Sequence, residues 1–146
     1  MKKQYDIDCN IAQTLNLIGD KWTLLILHAV KVGFKTYKEL QENLPGIPTN
    51  LLSNRLKSLC EDDLLDCELY SKHPPRYQYN LTDKSNDLDD IYNALIIWGD
   101  HHLQKSFKCL NHKDCDGNVR IAYVCEKCGK ELSKDELLVH THKNNN

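Results

Sequence analysis

The sequence lacks any apolar run approaching the roughly 20 residues needed to span a bilayer as a helix, so no membrane segment is expected. Its start, MKKQYDIDCN, has two lysines but no apolar core of an export signal, which points to a cytoplasmic protein. It also lacks a strong overall charge: the formal net charge is −2, so nucleic-acid binding cannot be argued from the total. The distribution says more than the sum. No carboxylate lies between Asn43 and Cys60, where Arg55 and Lys57 stand, and none lies from 71 to 77, where Lys72 and Arg76 stand. Acids gather instead at 61–68 and 83–90. Two small basic islands on a near-neutral body suit local contact with a polyanion.

What is present fits a globular chain. At 146 residues with 40% hydrophobic and 27% charged side chains, it can build one cored domain and a small appendage. Residues 6–18 read as a turn and a helix, with Ile11, Leu15 and Ile18 on one stripe. From Lys21 to Val30, Trp22, Leu25, Ile26 and Ala29 repeat at core-helix spacing. Thr36 and Glu39 have the spacing of a capping box, which opens a third helix that Pro45-Gly46 ends. A fourth helix spans Ile47 to Leu59. Leu52, Leu56 and Leu59 form its buried stripe, and the other side offers Thr49, Asn50, Ser53, Asn54 and Lys57. Short donors and acceptors with a cation suit base edges and phosphates, although a solvated polar face has the same composition.

The period then changes from 3.6 to 2. Leu65, Cys67 and Leu69 alternate with polar residues, and Tyr77, Tyr79 and Leu81 alternate after a basic, proline-bearing loop, as in a β-hairpin. Two short helices joined by a tight turn and followed by a hairpin outline a winged helix-turn-helix, a mainly α fold with a small β wing (α+β). A long helix is expected from Thr82 or Asp83 to about Phe107, carrying Leu88, Ile91, Tyr92, Leu95, Trp98 and His102. Ile96 and Ile97 widen its apolar face beyond one stripe, which a second copy of the chain would cover unless the helix packs wholly within its own domain. The expected domains are 1–107, for DNA binding and dimerisation through terminal helices, and 108–146, rich in cysteine and histidine.

Seven cysteines without an export signal favour metal or redox chemistry over a disulfide framework. Cys60 and Cys67 fall on a core helix and a core strand and read as packing. His112-x2-Cys115-x9-Cys125-x2-Cys128-Gly129 presents two close ligand pairs, the donor set of a structural Zn2+ site or small zinc knuckle. Cys109 is a fifth candidate that could stand in for His112. A metal-free extension with exposed thiols is the alternative. Ser133 and Glu136 form a second capping box, for a helix to about His140, and THKNNN reads as a frayed end.

In order and spacing, the sequence resembles the HxlR-type family of bacterial winged-helix transcriptional regulators, which are MarR-like. The matching pieces are Cys9, LNLIGDKWTLLIL (15–27), YKEL (37–40), LPGI (44–47), LLSNRLKSL (51–59), PPRYQYNLT (74–82) and Trp98-Gly99. Some members of that family carry a similar His-Cys and Cys-x2-Cys extension. The chain departs from the pattern at Asp62-Asp63-Leu64, where the family usually has Asp-Gly-Leu. Aspartate must there fill a position favouring positive φ, which it tolerates better than most residues. It departs also at Ser85-Asn86, in place of a usual glycine, and at Thr36, in place of a common arginine.

The resemblance implies a homodimer acting on double-stranded DNA, with recognition helices in successive major grooves of a pseudo-palindromic operator, about 34 Å apart. Carried onto this chain, Thr49, Asn50, Ser53 and Asn54 are the base readers, and Arg55, Lys57, Lys72 and Arg76 the phosphate contacts. Arg55 has a competing use as an ion-pair partner of Asp62 or Asp63. The family also implies an oxidant or electrophile sensor at Cys9, a thiol near a helix start with Lys2 and Lys3 close in sequence, with a buried small hydrophobe as the alternative. An enzymatic zinc is disfavoured, since four protein ligands leave no open position and no metal motif supplies a general base. A winged helix serving protein interaction without specific DNA binding is the remaining alternative.

Overall fold

The structure is a computed structural model that describes residues 4–142. It divides into two compact units, Met1–Leu88 and Asp89–Asn146. The division falls inside the stretch the sequence assigns to one long helix.

The first unit contains α1 (Asn10–Ile18), α2 (Thr23–Lys31), α3 (Tyr37–Asn43), α4 (Thr49–Glu61), the hairpin β1 (Leu65–Lys72) and β2 (Pro75–Leu81), and the short α5 (Asp83–Asn86). Its core is made by Ile26, Leu27 and Val30 of α2, Leu40 of α3, Leu52, Leu56 and Leu59 of α4, and Leu64 and Leu65 at the foot of β1. Local chemistry sets the element starts. The Asp20 carboxylate accepts the Trp22 and Thr23 amides at 3.0 and 3.2 Å and the Thr23 hydroxyl, capping α2. The Thr36–Glu39 capping box forms in full at the start of α3. Gly46, at φ +88°, turns the chain from α3 toward α4.

The hairpin is antiparallel, with Leu65 opposite Leu81 and Cys67 opposite Tyr79, and its register shifts at Tyr70. Its root is tied to the helices. The Tyr79 amide donates to the Lys35 carbonyl at 2.8 Å, and Thr36 bridges to Gln78. Asp63 adopts φ +57°, the left-handed conformation expected of it between α4 and β1. The Thr82 hydroxyl then donates to the Asp63 carbonyl at 2.8 Å.

Several expectations are corrected. Ile11, Leu15 and Leu25 are exposed, while Ala12, Leu27 and Val30 take inward positions. Ile18, Ile26 and Ala29 are buried as expected, so each stripe faces inward over part of its length only. Only Leu65 of the alternating β1 residues is buried, so the hairpin projects as a wing instead of packing one face. The long terminal helix breaks at Asp87–Leu88: Thr82 caps a single turn, Ser85 hydrogen-bonds back to the Thr82 carbonyl, and Leu88 is buried. Ser, Asn and Asp all compete with the helical backbone in this way.

The second unit begins with α6 (Asp89–His102), which ends short of the expected Phe107. Its remaining regular structure is a small hairpin, β3 (Tyr123–Val124) with β4 (Glu131–Leu132), and a 3-10 turn at Lys134–Glu136. The Ser133–Glu136 capping box forms, but it opens only that turn and no helix to His140. The last residues of the expected frayed end, 143–146, lie outside the described residues. Among the described residues, no helix is long and apolar enough to cross a membrane.

Candidate nucleic-acid interface

α4 is built in two layers. Its inner stripe of Leu52, Leu56 and Leu59 is at most 2% exposed, which fixes the rotation of the helix and turns Thr49, Asn50, Ser53, Asn54 and Lys57 outward, all exposed. Tyr37 pins the start of the helix, its phenol donating to the Thr49 carbonyl at 3.0 Å. Ser53 donates its hydroxyl to that same carbonyl at 3.1 Å, and the Asn50 side-chain oxygen accepts the Leu51 amide at 2.9 Å. Asn50 and Asn54 are both exposed. No side chain caps the first turn of α4, where Pro48 is the N-cap. Of the first-turn amides, that of Leu51 is met by the Asn50 side chain instead.

The four cations proposed for phosphate do not share one environment. Lys57 is 78% exposed and only loosely paired with Glu61 at 3.8 Å, one helical turn on. Lys72 and Arg76 are exposed near the wing tip, opposite Pro75 and Ser71 respectively, around a cis His73–Pro74 peptide. Arg55 differs. Its side chain is 17% exposed, with Nε 3.2 Å from an Asp20 oxygen, so it joins the helix to the cap of α2. Asp20, not Asp62 or Asp63, is the acid it meets. That geometry is an ion pair without an aligned hydrogen bond from Nε.

Cys9 is the exposed N-cap residue of α1, with extended backbone at φ −145°, and its carbonyl accepts the Gln13 amide at 3.0 Å. Lys2 and Lys3, expected near it, lie outside the described residues. Cys60 and Cys67 are not simple packing residues: they form a disulfide, Cα to Cα 6.3 Å, joining the last turn of α4 to β1. Sequence spacing gave no sign of this, because helix and strand periods place the two thiols independently. Only the αL turn at Asp63 folds the strand back beside the helix.

The cysteine-rich extension brings its candidate ligands together in pairs. His112 Nδ1 lies 3.0 Å from Cys115 Sγ, and its Nε2 is 3.5 Å from an Asp114 carboxylate oxygen. The Cys125 thiol is held below the ordinary cysteine range by the backbone amides of Cys128 and Lys127 and by the Cys128 side chain. Cys109 is exposed and outside both pairs. Among the described residues, no three His, Cys, Asp or Glu side chains gather into one group able to hold a metal ion.

A helix-turn-helix with a projecting hairpin and an outward polar face on its second helix defines the winged-helix class of DNA-binding proteins. Residues 17–107 match the HxlR-like helix-turn-helix family, and the chain belongs to it. It is 36% identical over 128 residues to Rv3095 of Mycobacterium tuberculosis, an uncharacterized HTH-type transcriptional regulator, covering 85% of this chain and 80% of that one. The solved structure of PA1374 from Pseudomonas aeruginosa aligns with TM-score 0.69 at 28% identity, over 94% of this chain and 95% of that one. The redox regulator HypR, in its reduced form, aligns with TM-score 0.60 at 27% identity, over 66% of this chain and 95% of that one. The family is one of transcriptional regulators, not enzymes.

Proposed function

We propose that this chain is a cytoplasmic transcriptional regulator that binds a pseudo-palindromic double-stranded DNA operator sequence-specifically, as a homodimer. The observation that carries the reading is the outer face of α4. Thr49, Asn50, Ser53 and Asn54 lie together on an exposed surface that carries no acid among them, with Lys57 beside them. Asn50 and Asn54 offer the paired donor and acceptor that match an adenine edge in the major groove. Lys57, Lys72 and Arg76 are the phosphate contacts, while Arg55 holds the helix in place through Asp20. The dimer reading is supported by α6, where Ile91, Leu95 and Trp98, at i, i+4 and i+7, are 37%, 52% and 60% exposed. A stripe of that kind on a single chain needs a partner surface.

Asn54→Ala tests the reader role. Loss of a good base contact costs about 1–3 kcal/mol of discrimination, so operator affinity should fall several-fold to about a hundred-fold while affinity for random duplex barely changes. Equal losses on both DNAs, measured by fluorescence anisotropy, would remove Asn54 as a reader. A module for protein contact alone would instead show weak DNA association with little dependence on salt.

A redox input is the second reading, favoured by the Cys60–Cys67 disulfide. Disulfides in cytosolic proteins are usually transient and redox-sensing. A hydroperoxide would take two electrons and two protons from the thiols, leaving the disulfide, water and an alcohol. Because that bond joins recognition helix to wing, it bears on the two parts that meet DNA. The other thiol proposed as a sensor is Cys9. Operator binding is measured with and without hydroperoxide for Cys60→Ser and Cys9→Ser; the variant that no longer responds identifies the switch. A response retained in Cys60→Ser would leave the disulfide without a regulatory part.

A further inference from the structure

The ligand pairs of the extension sit in two turns built to one plan, although their sequences, HKDCDGN and CEKCGKE, share few residues. In the first, the His112 amide donates to the Gly117 carbonyl at 2.9 Å and the Asp116 amide donates to the His112 carbonyl at 2.9 Å. In the second, the Cys125 amide donates to the Lys130 carbonyl at 2.9 Å and the Gly129 amide donates to the Cys125 carbonyl at 2.8 Å. Counted from the first ligand of each pair, the bonds are the same. The residue after the second ligand is left-handed in both, Asp116 at φ +55° and Gly129 at φ +71°. The flanking strands pair in the same register too, Asn111 with Asn118 and Val124 with Glu131. At Gly117 a Cβ would come within 3.2 Å of the Cys115 sulfur, so that sulfur is held against its own turn.

A duplicated turn of this type needs something to hold it. From 108 to 142 no residue is buried, and only Leu110, Cys125 and Leu132 are even partly covered. The ion pairs present, Arg120–Glu131 and Lys130–Glu136, are exposed. Exposed pairs contribute little. Among the described residues, no disulfide lies in the segment. Segments too small for a core are stapled by a disulfide or by a metal.

We infer that the two turns are the halves of one tetrahedral zinc site, closed by His112, Cys115, Cys125 and Cys128, and that this ion is what organises the extension. Two turns that each carry a close pair of nitrogen or sulfur donors supply the four soft or borderline ligands that zinc takes in structural sites. The two pairs are preformed separately, so binding needs only that one hairpin meet the other. The register assigns the first ligand to His112, not Cys109, because only His112 occupies the place that Cys125 holds in the second turn. His112 directs Nδ1 toward Cys115 and Nε2 toward Asp114, the outer carboxylate contact common to metal-bound histidines. This inference stands apart from the DNA-binding reading.

The full chain, purified without chelator, should carry one equivalent of zinc by mass spectrometry of the metal. Cys125→Ser and His112→Ala should each lose most of it, and Cys109→Ser should keep it. Cobalt added to chelator-stripped wild-type protein should give the visible bands of a tetrahedral thiolate site, saturating at one equivalent, which needs no variant to fold. Absence of zinc together with no saturable cobalt spectrum would overturn the site. Metal lost in Cys109→Ser and kept in His112→Ala would overturn the assignment of His112.

Discussion

Arg55 and Lys57 stand two residues apart on α4 and serve different ends. Lys57 is in solvent, where its loose pair with Glu61 at 3.8 Å leaves it available to a phosphate. Arg55 is drawn inward to Asp20, an acid already engaged in capping α2. Removing one partner of a partly buried pair leaves the other without its counter-charge. Arg55→Gln should therefore lower stability by about 1–3 kcal/mol in urea denaturation, with that range set by an unsatisfied partly buried group. It should leave the salt dependence of DNA binding unchanged. An unaltered stability with a salt slope reduced by about 1 would return Arg55 to the phosphate contacts. This pairing was illegible in the sequence because Asp20 is distant along the chain. Asp63 was legible through the family resemblance, which puts a glycine at that position and so implies the positive φ that aspartate adopts here.

Among the elements, those defined by neighbouring residues were read most closely. The Thr36–Glu39 box is local chemistry, and it appears as expected, with the Glu39 carboxylate accepting the Lys35 and Thr36 amides at 2.9 Å each. Those bonds, and the one from the Thr36 hydroxyl, hold the Glu39 pKa below its ordinary value. A carboxyl depressed by folding adds stability above the pKa of the unfolded chain and loses it as pH falls through the lowered value. Amide protection at Thr36 and Glu39 should accordingly fade only in acid below the ordinary glutamate range, with that of α2 persisting further into acid. Fading of both together would show that the box has no separate titration. Elements defined by what packs on them were read less well. Apolar spacing placed Ile18, Ile26 and Ala29 inward correctly but failed at Ile11, Leu15 and Leu25, because a helical period does not say what packs on the stripe it marks. The terminal helix failed for another reason: its polar break at 85–87 has good periodic residues on both sides.

For the molecule as a whole, the class of fold was legible from the order of its elements, and the closeness of His112 to Cys115 from their spacing. The equivalence of the two turns was not, since it resides in backbone hydrogen bonds and not in residue identities. The disulfide between α4 and β1 was hidden for a similar reason. What remains is whether the outward face of α4 reads DNA in pairs. Selection of bound sequences from random duplex DNA by the full chain tests this most directly, repeated after hydroperoxide treatment. A dimeric reader yields two inverted half-sites centred about 10–10.5 base pairs apart, or a multiple of that turn, and Asn54→Ala relaxes the same position in both. Recovery of no enriched sequence would contradict specific reading, and recovery of a single unpaired half-site would contradict the dimer.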